Sequence, residues 1–263
     1  MNGPSAAELG LTEADLGLRK TSISRKELST NWPKIIPQGQ EAQSYNALRE
    51  PGENPSEAPK SSHIDKLSYV LQNREKRLRF FATWHQKDMS GSDDPNMKQY
   101  DVLEGNFKES PPQAVIIEGN IGEAAEKVND PQYRIPSREF AISKGEQGFM
   151  LYLVQQHNLA HPDDLITISS ADIPDTALAQ GFRDQNIPEA QITHFFETRG
   201  SAEQGDLYVA ERQIRDQYII ETTAEKFKTL DRVDMVFGSG HAIREREAWN
   251  EFFDIDNQNQ QAA

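Results

Sequence analysis

Three residues stand where chemistry is easiest to build. His85 follows the apolar run LRFFATW, Glu118 follows AVII, and His241 follows VDMVFGSG. In an open α/β sheet the carboxyl ends of neighbouring strands face one crevice, so polar groups that end apolar strands are expected to converge there. Two neutral imidazoles and a carboxylate would suit a divalent metal such as manganese, cobalt or zinc, which activates water and polarises a carbonyl. Without a metal, His85, Glu118 and His241 could serve as general base, general acid and orienting group. The histidines share a frame, Ala82-x-x-His85 and Gly238-x-x-His241, in which small residues let the backbone turn and aim an imidazole over the sheet. Each residue taken alone also has an ordinary explanation as a hydrogen-bonded group at a strand end.

Two further side chains are candidates. Arg215 lies beside the apolar stripe of a helix, where its guanidinium could reach inward to hold a carboxylate or an oxyanion, or could pair at the surface with Glu211 or Glu221. Glu146 completes a Ser143-x-x-Glu146 capping box, yet it is aligned with Met150 and Leu153 and could face the crevice. His157 and His161 flank a helix end, His63 lies in a tail, and none of the three looks like a ligand. His194 could be core or surface. A serine nucleophile at Ser239 fails on spacing, since a nucleophile elbow needs Gly where Phe237 and His241 stand. Gly238-Ser239-Gly240 before a helix is a weak phosphate cradle, without the Lys and extra glycines of a P-loop.

The elements that must position these groups can be read from periodicity. LSYVLQ, a polar NREK and LRFFATWH predict a β-hairpin. A helix is expected near Met97 to Glu109, then the strand AVII, then a helix starting near Ser143. LITISSAD predicts a strand, DTALAQGFRDQ a helix and ITHFFE a short strand. Leu207, Ala210, Ile214, Tyr218 and Thr222 mark a long amphipathic helix. VDMVFG is a buried strand, GSGH a tight turn and AIREREAWNEFF a closing helix. The expected class is therefore α/β, with a mixed, largely parallel sheet flanked by helices and an extended N-terminal arm. The divisions are residues 1–62 as an arm, docked or disordered, 63–254 as the α/β domain, and 255–263 as a polar tail.

Composition narrows the chemistry. A formal charge of -14 over 263 residues argues against nucleic acid as a partner, because that affinity comes from clustered Lys and Arg. With no cysteine, a metal must be held by His, Asp or Glu. No stretch approaches the roughly 20 apolar residues that span a bilayer, and the N-terminus lacks the pattern of a cleavable signal. The expectation is a cytoplasmic protein, with signal-independent export left open.

The order A-T-W-H, V-I-I-E-G, R-D-Q-Y-I-I on a long helix and F-G-S-G-H before a closing helix resembles the TraB and TIKI superfamily, which is related to erythromycin esterase and ChaN-like proteins. Those families pair two Gly-x-x-His motifs with an intervening Glu and a helical Arg. The resemblance runs from about Leu67 to Phe253 and implies that His85, Glu118, Arg215 and His241 line a hydrolytic site of peptidase or esterase type. The substrate would then be a peptide or small molecule. Two positions depart from the pattern: Ala82 replaces the first Gly, and Asp172 stands where relatives often carry Glu. The superfamily also holds haem-binding members, so the competing expectation is a non-catalytic binding protein that takes a ligand such as haem, or a protein partner through the N-terminal arm.

Overall fold

The structure, a computed structural model, describes residues 67–73, 75–83, 98–130, 132–199 and 207–261, with side chains to Phe253. The arm, His63 and His85 lie outside the described residues. The fold is the expected α/β class. Five strands, β1 (Tyr69–Asn73), β2 (Lys76–Thr83), β3 (Ala114–Ile117), β4 (Thr167–Ser170) and β5 (Arg232–Gly238), form one sheet in the order β1-β2-β5-β3-β4. β1 and β2 make the antiparallel hairpin, and every other pairing is parallel. β3 and β5 are covered on both faces, which is why AVII and VDMVFG read as continuous apolar runs rather than as alternating ones.

Eight helices are described: α1 (Lys98–Glu109), α2 (Gly122–Lys127), α3 (Arg138–Ile142), α4 (Gly145–Ala160), α5 (Asp175–Asp184), α6 (Glu189–Glu197), α7 (Leu207–Lys226) and α8 (Ser239–Gln261). None is long and apolar enough to cross a membrane. One core joins Tyr100 and Leu103 of α1, Phe149 and Leu153 of α4, Val115 and Ile117 of β3 and Val236 of β5. A second, smaller core of Leu178, Phe182, Ile192, Phe195 and Ile214 ties α5, α6 and α7 together. There Gly181 lets α7 come close, since a Cβ on it would stand 2.5 Å from the Cγ2 of Ile214. α8 packs on β1, β2 and α7.

Four local expectations are corrected. ITHFFE is not a strand but part of α6, because Ile192 and Phe195, three apart, both enter the second core and Pro188 caps the helix start. The capping box does not form: Ser143 closes α3, donating its hydroxyl to Phe140 O at 2.7 Å, and α4 starts after Lys144 with no side-chain cap. Ser137 is the capping serine instead, accepting from Phe140 N. GSGH is not a turn. α8 begins at Ser239, directly after β5, and neither Gly238 nor Gly240 has a positive φ. The helix then continues to Gln261, through most of the segment read as a polar tail.

Candidate active site at the carboxyl end of the sheet

Glu118 is fixed at every polar atom of its backbone and at its carboxylate. As the first residue after β3, it extends the ladder by donating N–H to Val236 O at 3.1 Å. Its carbonyl accepts from Gln147 Nε2 at 2.8 Å, and its Oε2 accepts from Gly238 N at 2.8 Å. The chain then turns sharply through Gly119, whose φ of 89° lies in the region that favours glycine. A Cβ there would stand 1.8 Å from Gln147 Nε2, so the turn and the Gln147 contact both need the missing side chain. Gly119 N donates to Asp172 Oδ1 at 3.2 Å, which ties the end of β3 to the segment after β4.

His241 sits in the first turn of α8, at the end of β5, with its imidazole nearly buried. Both ring nitrogens face carboxylate oxygens: Nδ1 lies 2.6 Å from Asp216 Oδ1 and 3.3 Å from Glu245 Oε1, and Nε2 lies 3.4 Å from Glu118 Oε1. An imidazole with acceptors on both sides is satisfied as a double donor, which is the imidazolium form. Burial opposes that charge, but the hydrogen bonds to Asp216, Glu118 and Glu245 outweigh it and hold His241 well above the usual histidine range. Asp216 comes from the buried face of α7, with no side-chain exposure. Burial would raise its carboxyl, yet Arg244 and His241 keep it below the ordinary aspartate range. Arg244, one helical turn on from His241, donates Nε to Asp216 Oδ2 at 2.5 Å and Nη2 to Asp216 Oδ1 at 3.0 Å. Glu245, fully buried, accepts from Trp249 Nε1 at 3.2 Å and is pushed up to about 7, chiefly by burial.

Glu118 thus has a buried, charged layer behind it and the guanidinium-bearing face of α7 near its Oε1. Arg215 of α7 stands there, its Nη2 3.6 Å from Asp172 Oδ1 and 3.9 Å from Glu118 Oε1. Beyond it opens a cavity of about 470 Å³ lined by Asn120, Ser170, Asp172, Asp175, Arg199 and Arg215 among others. The cavity lies beyond the carboxyl ends of β3 and β4, from which Asn120 and Ser170 line it.

Of the residues singled out from sequence, Glu118, His241 and Arg215 meet here. Arg215 does not pair with Glu211, which meets Arg199, and its carboxylate neighbours are Glu118 and Asp172. Glu146 is buried in α4 beside Tyr100, whose phenol is pushed up to about 12 by burial and then by that carboxylate. His85, and with it the frame it shares with His241, lies outside the described residues. Asp216, Arg244 and Glu245 were not among the candidates. Their signal was present as helical spacing, since His241, Arg244, Glu245 and Trp249 fall on one face of α8. Starting that helix after a turn hid it.

The ligand atoms of Asp216, His241 and Glu245 lie within 4.8 Å of one another, so this group could hold a metal ion. One imidazole and two carboxylates suit manganese, cobalt or zinc. The set shares only His241 with the one expected from sequence. Metal binding there would need Nδ1 free of its proton, and Arg244 already engages both oxygens of Asp216. No family model, no curated protein and no solved structure matches the chain.

Proposed function

We propose that this protein is a hydrolase of esters or amides in which Glu118 activates the attacking water. The observation that carries the reading is the polarity of the Glu118 surroundings. One side of its carboxylate is anchored by Gly238 N–H and backed by the buried Asp216–His241 pair, and Arg215, whose Nη2 lies 3.9 Å from its Oε1, stands on the wall of a cavity. A carboxylate with one oxygen fixed by a backbone N–H and the other near a guanidinium is oriented for general base work.

In the reaction, Glu118 takes a proton from water as the water oxygen bonds to the substrate carbonyl carbon. The carbonyl π electrons move to oxygen, and the tetrahedral intermediate then collapses with loss of the alcohol or amine, which leaves with the proton from Glu118. His241 does not touch the substrate. Its ring orients Glu118 from behind, and Asp216 holds that ring in place. Arg215 supplies positive charge to the substrate side. The motif order that resembles the TraB and TIKI superfamily supports the same hydrolytic reading.

A metal-dependent form of the reading is favoured by the closeness of Asp216, His241 and Glu245. Those three residues would hold the ion, and it would supply Lewis-acid and electrostatic help to the site.

The test is hydrolysis of a panel of p-nitrophenyl esters and chromogenic peptides by the purified full chain, before and after chelation. Turnover in wild type that disappears in His241→Ala is expected. Turnover that survives chelation assigns the work to Glu118 alone, and turnover restored by manganese, cobalt or zinc assigns it to the metal form. Absence of turnover on every ester and peptide, with and without added metal, overturns the reading.

A further inference from the structure

Arg215 is held differently from the arginines around it. Arg79, Arg138, Arg183, Arg199 and Arg244 each donate to a carboxylate at 3.0 Å or less. Arg215 makes no hydrogen bond among the described residues: its guanidinium meets only Asp172 at 3.6 Å and Glu118 at 3.9 Å, both beyond hydrogen-bond distance. It nevertheless stands on the wall of a cavity whose size, about 470 Å³, is within the range that takes small-molecule ligands. The other cation on that wall, Arg199, is already committed to Asp175 at 2.5 Å and Glu211 at 3.4 Å. One guanidinium with its donors unspent therefore faces the cavity.

We propose that Arg215 holds a single free carboxylate of the substrate, so that the cavity selects monoanionic acyl compounds such as the half-esters or half-amides of dicarboxylic acids. The inference rests on the reading of this cavity as the mouth of the Glu118 site. The planar guanidinium fork matches a carboxylate in two parallel hydrogen bonds. The charge preference is for one anion. Asp172 and Asp175 line the same cavity and Glu118 lies 3.9 Å from Arg215 Nη2, so a dianion such as phosphate meets repulsion there that a monoanion partly avoids. A permanent charge is favoured over a developing oxyanion for a second reason. Stabilising a charge that appears only in the transition state needs donors fixed beforehand, and no hydrogen bond fixes Arg215 among the described residues.

The experiment compares monomethyl glutarate with dimethyl glutarate, by calorimetric titration of the full chain and by hydrolysis. The half-ester is expected to bind about 10- to 100-fold more tightly than the diester, the range of one charge-assisted hydrogen-bonded pair. Arg215→Gln removes that advantage through KM, Arg215→Lys keeps part of it, and inorganic phosphate fails to displace the half-ester. Equal affinity for the two esters, undiminished half-ester binding in Arg215→Gln, or displacement by phosphate would overturn the proposal. So would an Arg215→Gln variant that loses kcat equally on both esters, because that is the behaviour of an oxyanion donor. Glu118→Gln separates this proposal from the hydrolase reading: it should keep the binding preference while losing turnover. Retained turnover in that variant removes Glu118 from the proton transfer and leaves carboxylate recognition standing.

Discussion

Both nitrogens of His241 end on acid groups, and that arrangement makes the site sensitive to pH in a definite direction. Glu245, raised to about 7 from an ordinary 4.5, contributes stability that is fully present below its unfolded value and is lost as pH rises through 7. His241, raised in the fold, acts in the same sense, its contribution being complete below the ordinary histidine value and lost as pH rises through the folded one. Asp216, lowered in the fold, acts oppositely and loses its contribution as pH falls through the folded value. Glu245→Gln keeps an acceptor for Trp249 but cannot ionise. Chemical denaturation at pH 5 and pH 8 should therefore show a smaller loss of stability for Glu245→Gln than for wild type, and an identical loss in both would contradict the assignment. At this scale Glu118 and His241 were legible because each ends an apolar run. Asp216 was not, since an acidic residue beside Arg215 on a charged helix reads as solvent-facing until α8 is known to cover it.

At the scale of elements, the site depends on two close approaches that only glycine permits. Gly119→Ala would place a Cβ on Gln147 Nε2 in a left-handed turn, displacing the carbonyl and carboxylate of Glu118. The expected cost is about 1–3 kcal/mol in urea unfolding, together with reduced turnover at unchanged secondary structure. Gly181→Ala would press on Ile214 and separate α5 from α7, at a similar cost of about 1–3 kcal/mol. Because α7 carries both Arg215 and Asp216, that variant should also weaken activity, and a Gly181→Ala protein with full stability and full turnover would show that α7 is not held by this contact. The strands were readable as apolar runs and the long helices from their period. The shorter elements were not: α6 was taken for a strand because ITHFFE is aromatic and compact, and α3 was overlooked because Ser143 offered a plausible cap for α4. The deciding fact is that Ile192 and Phe195 of α6 enter the second core and Ala141 and Ile142 of α3 the first, a tertiary matter that local pattern does not contain.

Across the whole molecule the two ends of the sheet divide the labour. At the carboxyl end buried charge surrounds Glu118, and towards the other end Arg79 of β2 grips its register partner Asp234 of β5 with Nε at 2.7 Å and Nη2 at 2.6 Å. Arg79 also donates to the carbonyls of Asn106 and Ser110, closing the end of α1. Arg79→Met leaves Asp234 buried without its partner and should destabilise the fold by about 3–5 kcal/mol in denaturant titration. Turnover per folded molecule should stay unchanged, and a loss of kcat in that variant would mean the two ends are coupled. The mixed, largely parallel sheet was legible in the alternation of apolar runs and amphipathic helices, whereas the strand order β1-β2-β5-β3-β4 came only from the structure. The charged layer behind Glu118 was not legible either, because it is assembled from α7 and α8, helices distant from it in sequence. The central claim is that Glu118 performs the proton transfer, and the most direct measurement is kcat for Glu118→Gln on whichever ester or peptide wild type hydrolyses, with circular dichroism and thermal unfolding alongside. A loss of about 10²- to 10⁴-fold with the fold intact is the expected result, and wild-type kcat in a folded Glu118→Gln protein would contradict it.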